Sequence, residues 1–332
     1  MSENNDPEQA ALLRDRLVND AIACLRTTLA GEGRRGLRVL VDPALHDPVR
    51  ALLEKHSFPV TRLILPYGDV SADIQPYLVS VDDEQAHERF VNATIDIAVL
   101  ESLAAREAWP AARAVCAWLV MDDAEIDALV QGFKANAVVA VPGNASQRRL
   151  LRFWDPRVLP QLARIVGKDA WRHWLPVNAT WLSIDGWGQM ARTDFVRPPA
   201  VPRDGARLDG EPWRALERIA DVNHSMVMGS LWHQPPNARV YAHLDRLLAH
   251  AAELGCTQAL DRVTYAVLAD AMRLPLEQHP DLAAMLARTR HENVSFSDQL
   301  SLLDPSDWER VGADLQRHAE TRTSSLLAQE SS

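Results

Sequence analysis

The sequence predicts an α/β N-terminal lobe, a mixed sheet with flanking helices, followed by an all-α C-terminal lobe. Three observations predict it. Up to about Phe195, short apolar runs closed by turn residues alternate with stretches of helical periodicity. Arg197 to Gly210, RPPAVPRDGARLDG, then breaks the pattern with Pro, Arg, Asp and Gly, as a linker does. Beyond it every apolar stripe has the helical spacing. The expected division is 1–195 α/β domain, 196–210 linker, 211–325 helical domain and 326–332 frayed tail.

Ala11 to Ala30 opens the chain as a helix, with Leu13, Leu17, Ala21, Leu25 and Leu29 on one face. Gly31, Gly33 and Gly36 end it, and Leu37 to Val41 reads as a buried strand stopped by Asp42-Pro43. A helix from His46 to Lys55 follows, then strands at Val60 to Leu65 and Tyr77 to Val81, then a helix from Glu84 to Leu100. Cys116 to Met121 is a strand, and Asp122 or Asp123 caps the helix running to Lys134. Ala137 to Val141 and Arg149 to Trp154 pair across the turn Pro142 to Ser146. Asp155 caps, and Pro156 opens, the next helix. Trp181 to Ile184 is the last strand expected. In the C-terminal part, helices are expected at Pro212 to Leu231, Val240 to Leu254, Leu260 to Ala271 and around Leu282 to Leu286. A final one starts at Asp304-Pro305 and carries Trp308, Val311 and Leu315.

A net charge of −10 argues against unspecific attraction to nucleic acid or anionic membranes. The start, MSENNDPEQA, reads as neither a secretory signal nor a membrane span, so a cytoplasmic protein without membrane insertion is expected. Cys24, Cys116 and Cys256 are widely spaced and read as reduced thiols. His243 and His250 lie seven apart, too far for two helical ligands to one metal, and no HExxH or Cys/His cluster occurs. No metal and no cofactor are expected. Gly31, Gly33 and Gly36 have the GxGxxG spacing but precede a strand instead of following one, so backbone amides would not face a pyrophosphate.

Two constellations could carry chemistry. Asp42 and His46 are close enough in sequence to share a proton, which suggests a hydrolase-like enzyme; the plainer reading is a strand end and a helix start. The segment LLRFWDPRVL, Leu150 to Leu159, places Arg152 and Arg157 on either side of Asp155, so an ion pair braces a strand–helix corner. Of the clustered Trp154, Trp171, Trp174, Trp181 and Trp187, three are expected in the core and one or two at the surface; Trp171, Trp174 and Trp187 are the interface candidates.

The run Arg152, Phe153, Trp154, Asp155, Pro156, Arg157, Val158, Leu159 resembles the hallmark of the effector-adaptor (chaperone) family of bacterial type VI secretion systems, long catalogued only as a domain of unknown function. LVDPALHDPV (Leu40 to Val49) resembles the family's first strand and turn. QPYLVSVD resembles its Gly-Pro-Tyr-Leu-Val segment through Pro76, Tyr77 and Leu78, with Gln75 in place of the glycine. The stretch from Cys116 to Gly143 resembles the strand, helix and strand before the hallmark. WLPVNATWL resembles the closing segment, with Leu175 for a glycine. The resemblance spans about residues 36 to 185. It implies a non-catalytic adaptor that binds a cognate toxic effector and helps place it on a VgrG-type spike protein. It implies an α/β lobe followed by a variable helical lobe. A structural or immunity-type interaction protein is the remaining alternative.

Overall fold

The apolar runs at 37–41, 77–81, 115–121 and 179–184 are strands buried on both faces. In the computed structural model, residues 7–32, 36–68, 71–81, 84–108, 112–198, 208–231, 238–315 and 317 are described. Most of the expected linker and all of the expected tail therefore lie outside the described residues. The chain divides into two compact units, Met1–Leu216 and Glu217–Ser332.

The first unit is built on a six-stranded sheet in the order β2-β3-β1-β4-β7-β8. Its strands are β1 (Gly36–Val41), β2 (Val60–Arg62), β3 (Tyr77–Val81), β4 (Val115–Met121), β7 (Ala179–Ile184) and β8 (Met190–Phe195). Every ladder is antiparallel, which narrows the mixed sheet expected. β5 (Val138–Val141) and β6 (Asn144–Leu150) form a separate hairpin. The helices are α1 (Pro7–Gly31), α2 (Arg50–Lys55), α3 (Glu84–Ala104), α4 (Ile126–Asn136), α5 (Leu159–Val166), α6 (Lys168–Arg172) and α7 (Gly210–Glu217).

Successive strand residues face opposite sides, so each central strand feeds two cores. Val39, Trp118 and Val120 pack with Leu17, Ala21 and Leu25 of α1 and with Phe90, Ile95 and Val99 of α3. Leu40, Leu119 and Met121 pack on the other side with Leu129 and Phe133 of α4 and with Trp154 and Trp181. Covering both faces explains why β4 is buried along its whole length and reads as one apolar run. Gly132 lets α4 lie close to the chain before β7: a Cβ there would come within 2.5 Å of Pro176 Cδ.

Several boundaries differ from the sequence expectation. α2 starts at Arg50 because Asp47 Oδ1 accepts the N–H groups of Val49 and Arg50, which fixes Pro48 in a turn. β6 begins at Asn144 and ends at Leu150, so Leu151 to Trp154 is not a strand. β8 was not expected: its alternating MARTDF carries Arg and Asp on an edge, and only its pairing with β7 makes it a strand. The expected helix from Pro212 to Leu231 is two, α7 and α8 (Ile219–Met228), separated at Arg218. Trp213 of α7 is buried in the first unit's core together with Leu208, which places α7 with that unit.

The second unit contains α8, α9 (Ala238–Glu253), α10 (Ala259–Met272), α11 (Pro280–Glu292), α12 (Phe296–Ser301) and α13, residues 305–315. Leu276, Leu282, Phe296, Val311 and Tyr265 form its core. Polar side chains fix the helix ends. Ser295 accepts the Asp298 N–H at the start of α12, and buried Asp261 accepts the Ser297 N–H at 2.9 Å. Arg262 holds Asp221, and Arg218 holds Asp245 at 2.6 Å, tying α8 to α10 and the start of α8 to α9. Among the described residues no helix is long and apolar enough to cross a membrane.

Candidate functional site

The strand ends that meet at one end of the sheet gather a group of buried charged residues, Asp42 and Arg113 among them. The ladder β1 to β4 places Val41 opposite Val115, and β1 to β3 places Val41 opposite Tyr77. Asp42, Tyr77 and the residues just before β4 therefore converge although the sequence scatters them. The segment Leu151 to Leu159 folds over this end.

Asp42 is its centre. The Asp42 N–H donates to Ala114 O at 2.8 Å, continuing the strand pairing by one residue. Its side chain is 1% exposed. Oδ1 accepts the Ala44 N–H at 3.1 Å, closing the Asp-Pro turn. Oδ2 accepts Arg152 Nε at 3.1 Å, Arg152 Nη2 at 2.9 Å and the Trp154 indole N–H at 2.5 Å. A buried carboxylate needs such partners, since an unpaired one carries a large desolvation cost.

Asp155 forms the second pair. Its carboxylate accepts the Arg157 main-chain N–H at 2.9 Å, Arg157 Nε at 3.0 Å and Arg157 Nη2 at 2.7 Å. Burial pushes this carboxyl up, but the charge and hydrogen bonds of Arg157, with Arg152 beyond, outweigh it and hold it below the usual carboxylate range. Asp155 O accepts the N–H groups of Val158 and Leu159, so the segment is a chain of turns, and α5 starts only at Leu159 with Pro160 in its first turn. This corrects the expected helix start: Asp155 is not its N-cap and Pro156 is not its first residue. It also corrects the expected sharing of Asp155, because the hydrogen bonds of Arg152 go to Asp42.

Phe153 and Trp154 anchor the turns. Their rings lie 4.8 and 5.5 Å from Phe133, and the three pack in the sheet-side core. Trp171 stands 5.8 Å from Trp174 and 5.3 Å from Phe195. Trp171, Trp174 and Trp187 are 4%, 5% and 8% exposed, so the surface role expected of them is replaced by a core role. Trp171 and Trp174 belong to the same core as Phe133, Phe153 and Trp154, while Trp187 is buried in the turn after β7.

Further charged groups complete the end of the sheet. Arg113, 2% exposed, donates to Ile184 O at 2.6 Å. Burial pulls its guanidinium below the ordinary value against the opposing charges of Asp155 and Glu101. Glu101 accepts the Ala114 and Val115 N–H groups, and burial pushes its carboxyl up. Asp185, also raised by burial, accepts the N–H groups of Trp187 and Gln189 in the turn between β7 and β8. Burial, with the Asp42 and Asp155 charges, pushes the Cys116 thiol well up, which leaves it a poor nucleophile or ligand.

The remaining predicted residues sit nearby with other partners. Tyr77 donates its hydroxyl to Asp47 Oδ1 at 2.8 Å, Pro76 O accepts the Leu63 N–H, and Leu78 is buried. His46 Nε2 lies 3.1 Å from Glu101 Oε1, so His46 and Asp42 are held by different groups. Glu101, Arg113 and Asp185 were not found from sequence. Their one signal was Glu101, a carboxylate interrupting the apolar stretch of α3. Among the described residues no group of three or more His, Cys, Asp or Glu could hold a metal ion.

No curated protein matches the chain, and no solved structure does. Residues 39–173, from within β1 to the end of α6 and so including both ion pairs, match the family described as a domain of unknown function, DUF4123.

Proposed function

We propose that the chain is a non-catalytic adaptor that binds a cognate toxic effector of a type VI secretion system and helps load it onto a VgrG-type spike from within the cytoplasm. The observation that carries the reading is the use made of the hallmark residues. Arg152, Asp155 and Arg157 are spent on internal ion pairs with Asp42 and with each other. Phe153 and Trp154 are buried. Groups consumed in this way shape a scaffold and leave recognition to surfaces. The DUF4123 match spans four of the segments on which the adaptor resemblance rests: LVDPALHDPV, QPYLVSVD, the stretch from Cys116 to Gly143, and RFWDPRVL. A second, separately packed helical unit supplies faces that can vary without disturbing the sheet.

The test is co-expression of the full chain with each candidate toxin of the same genome, followed by deletion of the chain in the producing cell. The expected result is co-purification, and loss of toxin export while the toxin is still made. Unchanged export in the deletion strain overturns the loading role; co-purification with unchanged export would point to an immunity-type protein instead.

A further inference from the structure

Two helices of the second unit end at one groove. α8 stops at Met228 and α10 at Met272, and the chain leaves them through left-handed residues, Ser230 at φ 50° and Arg273 at φ 54°. Between these two ends and α9 lies a groove of about 790 Å³, room for several large side chains. Its lining residues all belong to the second unit. Leu231, Leu247, Val267 and Leu274 make that lining largely apolar. Met228, which also lines it, is 45% exposed, a long and adaptable apolar side chain held out in water. An apolar concavity with a protruding methionine suits a partner that inserts apolar side chains.

Charge narrows the partner. Asp270, the acid of the lining, stands 3.1 Å from His243 Nε2 on the facing helix α9, so it is matched in place. Arg273 adds a cation at the end of α10, where the helix dipole offsets about half a charge. Arg246, exposed on α9 one position before the lining Leu247, adds another. In a chain of net −10, this groove is edged by cations and complements an acidic partner. The side chains of a protein segment come already oriented, whereas a small ligand needs several converging polar groups to orient it; Asp270 and His243 are spent on each other.

We propose that this groove takes up an amphipathic, acidic segment of the cognate effector, with apolar side chains seated against Leu231, Leu247 and Leu274 and a carboxylate on Arg273. The inference rests on the adaptor reading and adds where in the helical unit the effector is held and by which chemistry.

NMR of methyl groups in the full chain, with each candidate toxin of the same genome added in turn, tests the place. With the toxin that binds, the Met228, Leu247 and Val267 signals are expected to shift, while those of Val39 and Val120 in the sheet core stay. Calorimetric titration tests the chemistry. Met228→Glu and Arg273→Glu are each expected to weaken binding by about ten-fold or more, with the circular dichroism of the wild type retained, as both side chains are exposed. If the wild-type chain binds none of the toxins, the adaptor reading fails and this inference with it. If a toxin binds while the three groove signals stay in place, or while either variant keeps an affinity within about two-fold of the wild type, this inference alone is overturned. Shifts of the same signals with the concentration of the chain alone would make a second copy the occupant and overturn it too. The NMR measurement needs no variant to fold.

Discussion

Asp42→Ala is expected to lower the unfolding free energy by about 3 kcal/mol, read as a lower urea midpoint at unchanged slope. The substitution removes the acceptor of three side-chain hydrogen bonds and of the Ala44 N–H. It leaves the Trp154 indole N–H, on a residue 1% exposed, without its acceptor, which by itself costs about 1–3 kcal/mol. Arg152 loses its counter-charge but stays partly open to water, its side chain 27% exposed, so the cost lies at the lower end for a broken buried pair. Asp42→Asn keeps the shape and one acceptor oxygen and should cost less than alanine. A midpoint within error of the wild type would mean that Asp42 does not hold the turns over the sheet end.

Asp155→Asn is expected to cost about 3–5 kcal/mol near neutral pH, because Arg157 is left largely buried beside a neutral amide. Its signature is in the pH dependence. Asp155 has its folded carboxyl below the ordinary range, so its contribution is complete above the unfolded-chain value of about 3.9 and is lost as pH falls toward the folded value. Glu101 and Asp185 act with opposite sign: burial raises them, so they bind protons more readily in the folded chain and stability gains from them as pH falls. The wild type should therefore lose stability below about pH 4 more steeply than Asp155→Asn, and the two curves should converge in acid. Denaturant midpoints measured from pH 7 downward check this; parallel curves would show that Asp155 carries no shifted proton equilibrium.

The sequence was most readable where one local signal sufficed. The strand at Tyr77 to Val81 was expected to the residue, since an apolar run between Pro76 and polar residues has no competing period. β8 was lost because an edge strand with Arg192 and Asp194 has no apolar pattern of its own; its pairing with β7 creates it. The hallmark segment was readable as a brace but not in its wiring. Arg152 and Asp42 are 110 residues apart, and local reasoning paired Arg152 with the nearer Asp155. The tryptophans were misplaced for a related reason: ring size alone does not distinguish a core residue from an interface anchor, and Trp171 became core through Phe195 of the unforeseen β8. Charged groups gathered from β4, α3 and the turn after β7 left almost no local trace, because topology alone brings them together.

Arg152 braces the fold through Asp42. A double-mutant cycle in denaturant unfolding, with Asp42→Ala and Arg152→Met, tests it most directly, since methionine keeps an apolar stem in place of the arginine's. A coupling energy of about 1–3 kcal/mol is predicted for the pair, and a coupling below about 0.5 kcal/mol, the additivity expected of independent sites, would contradict it.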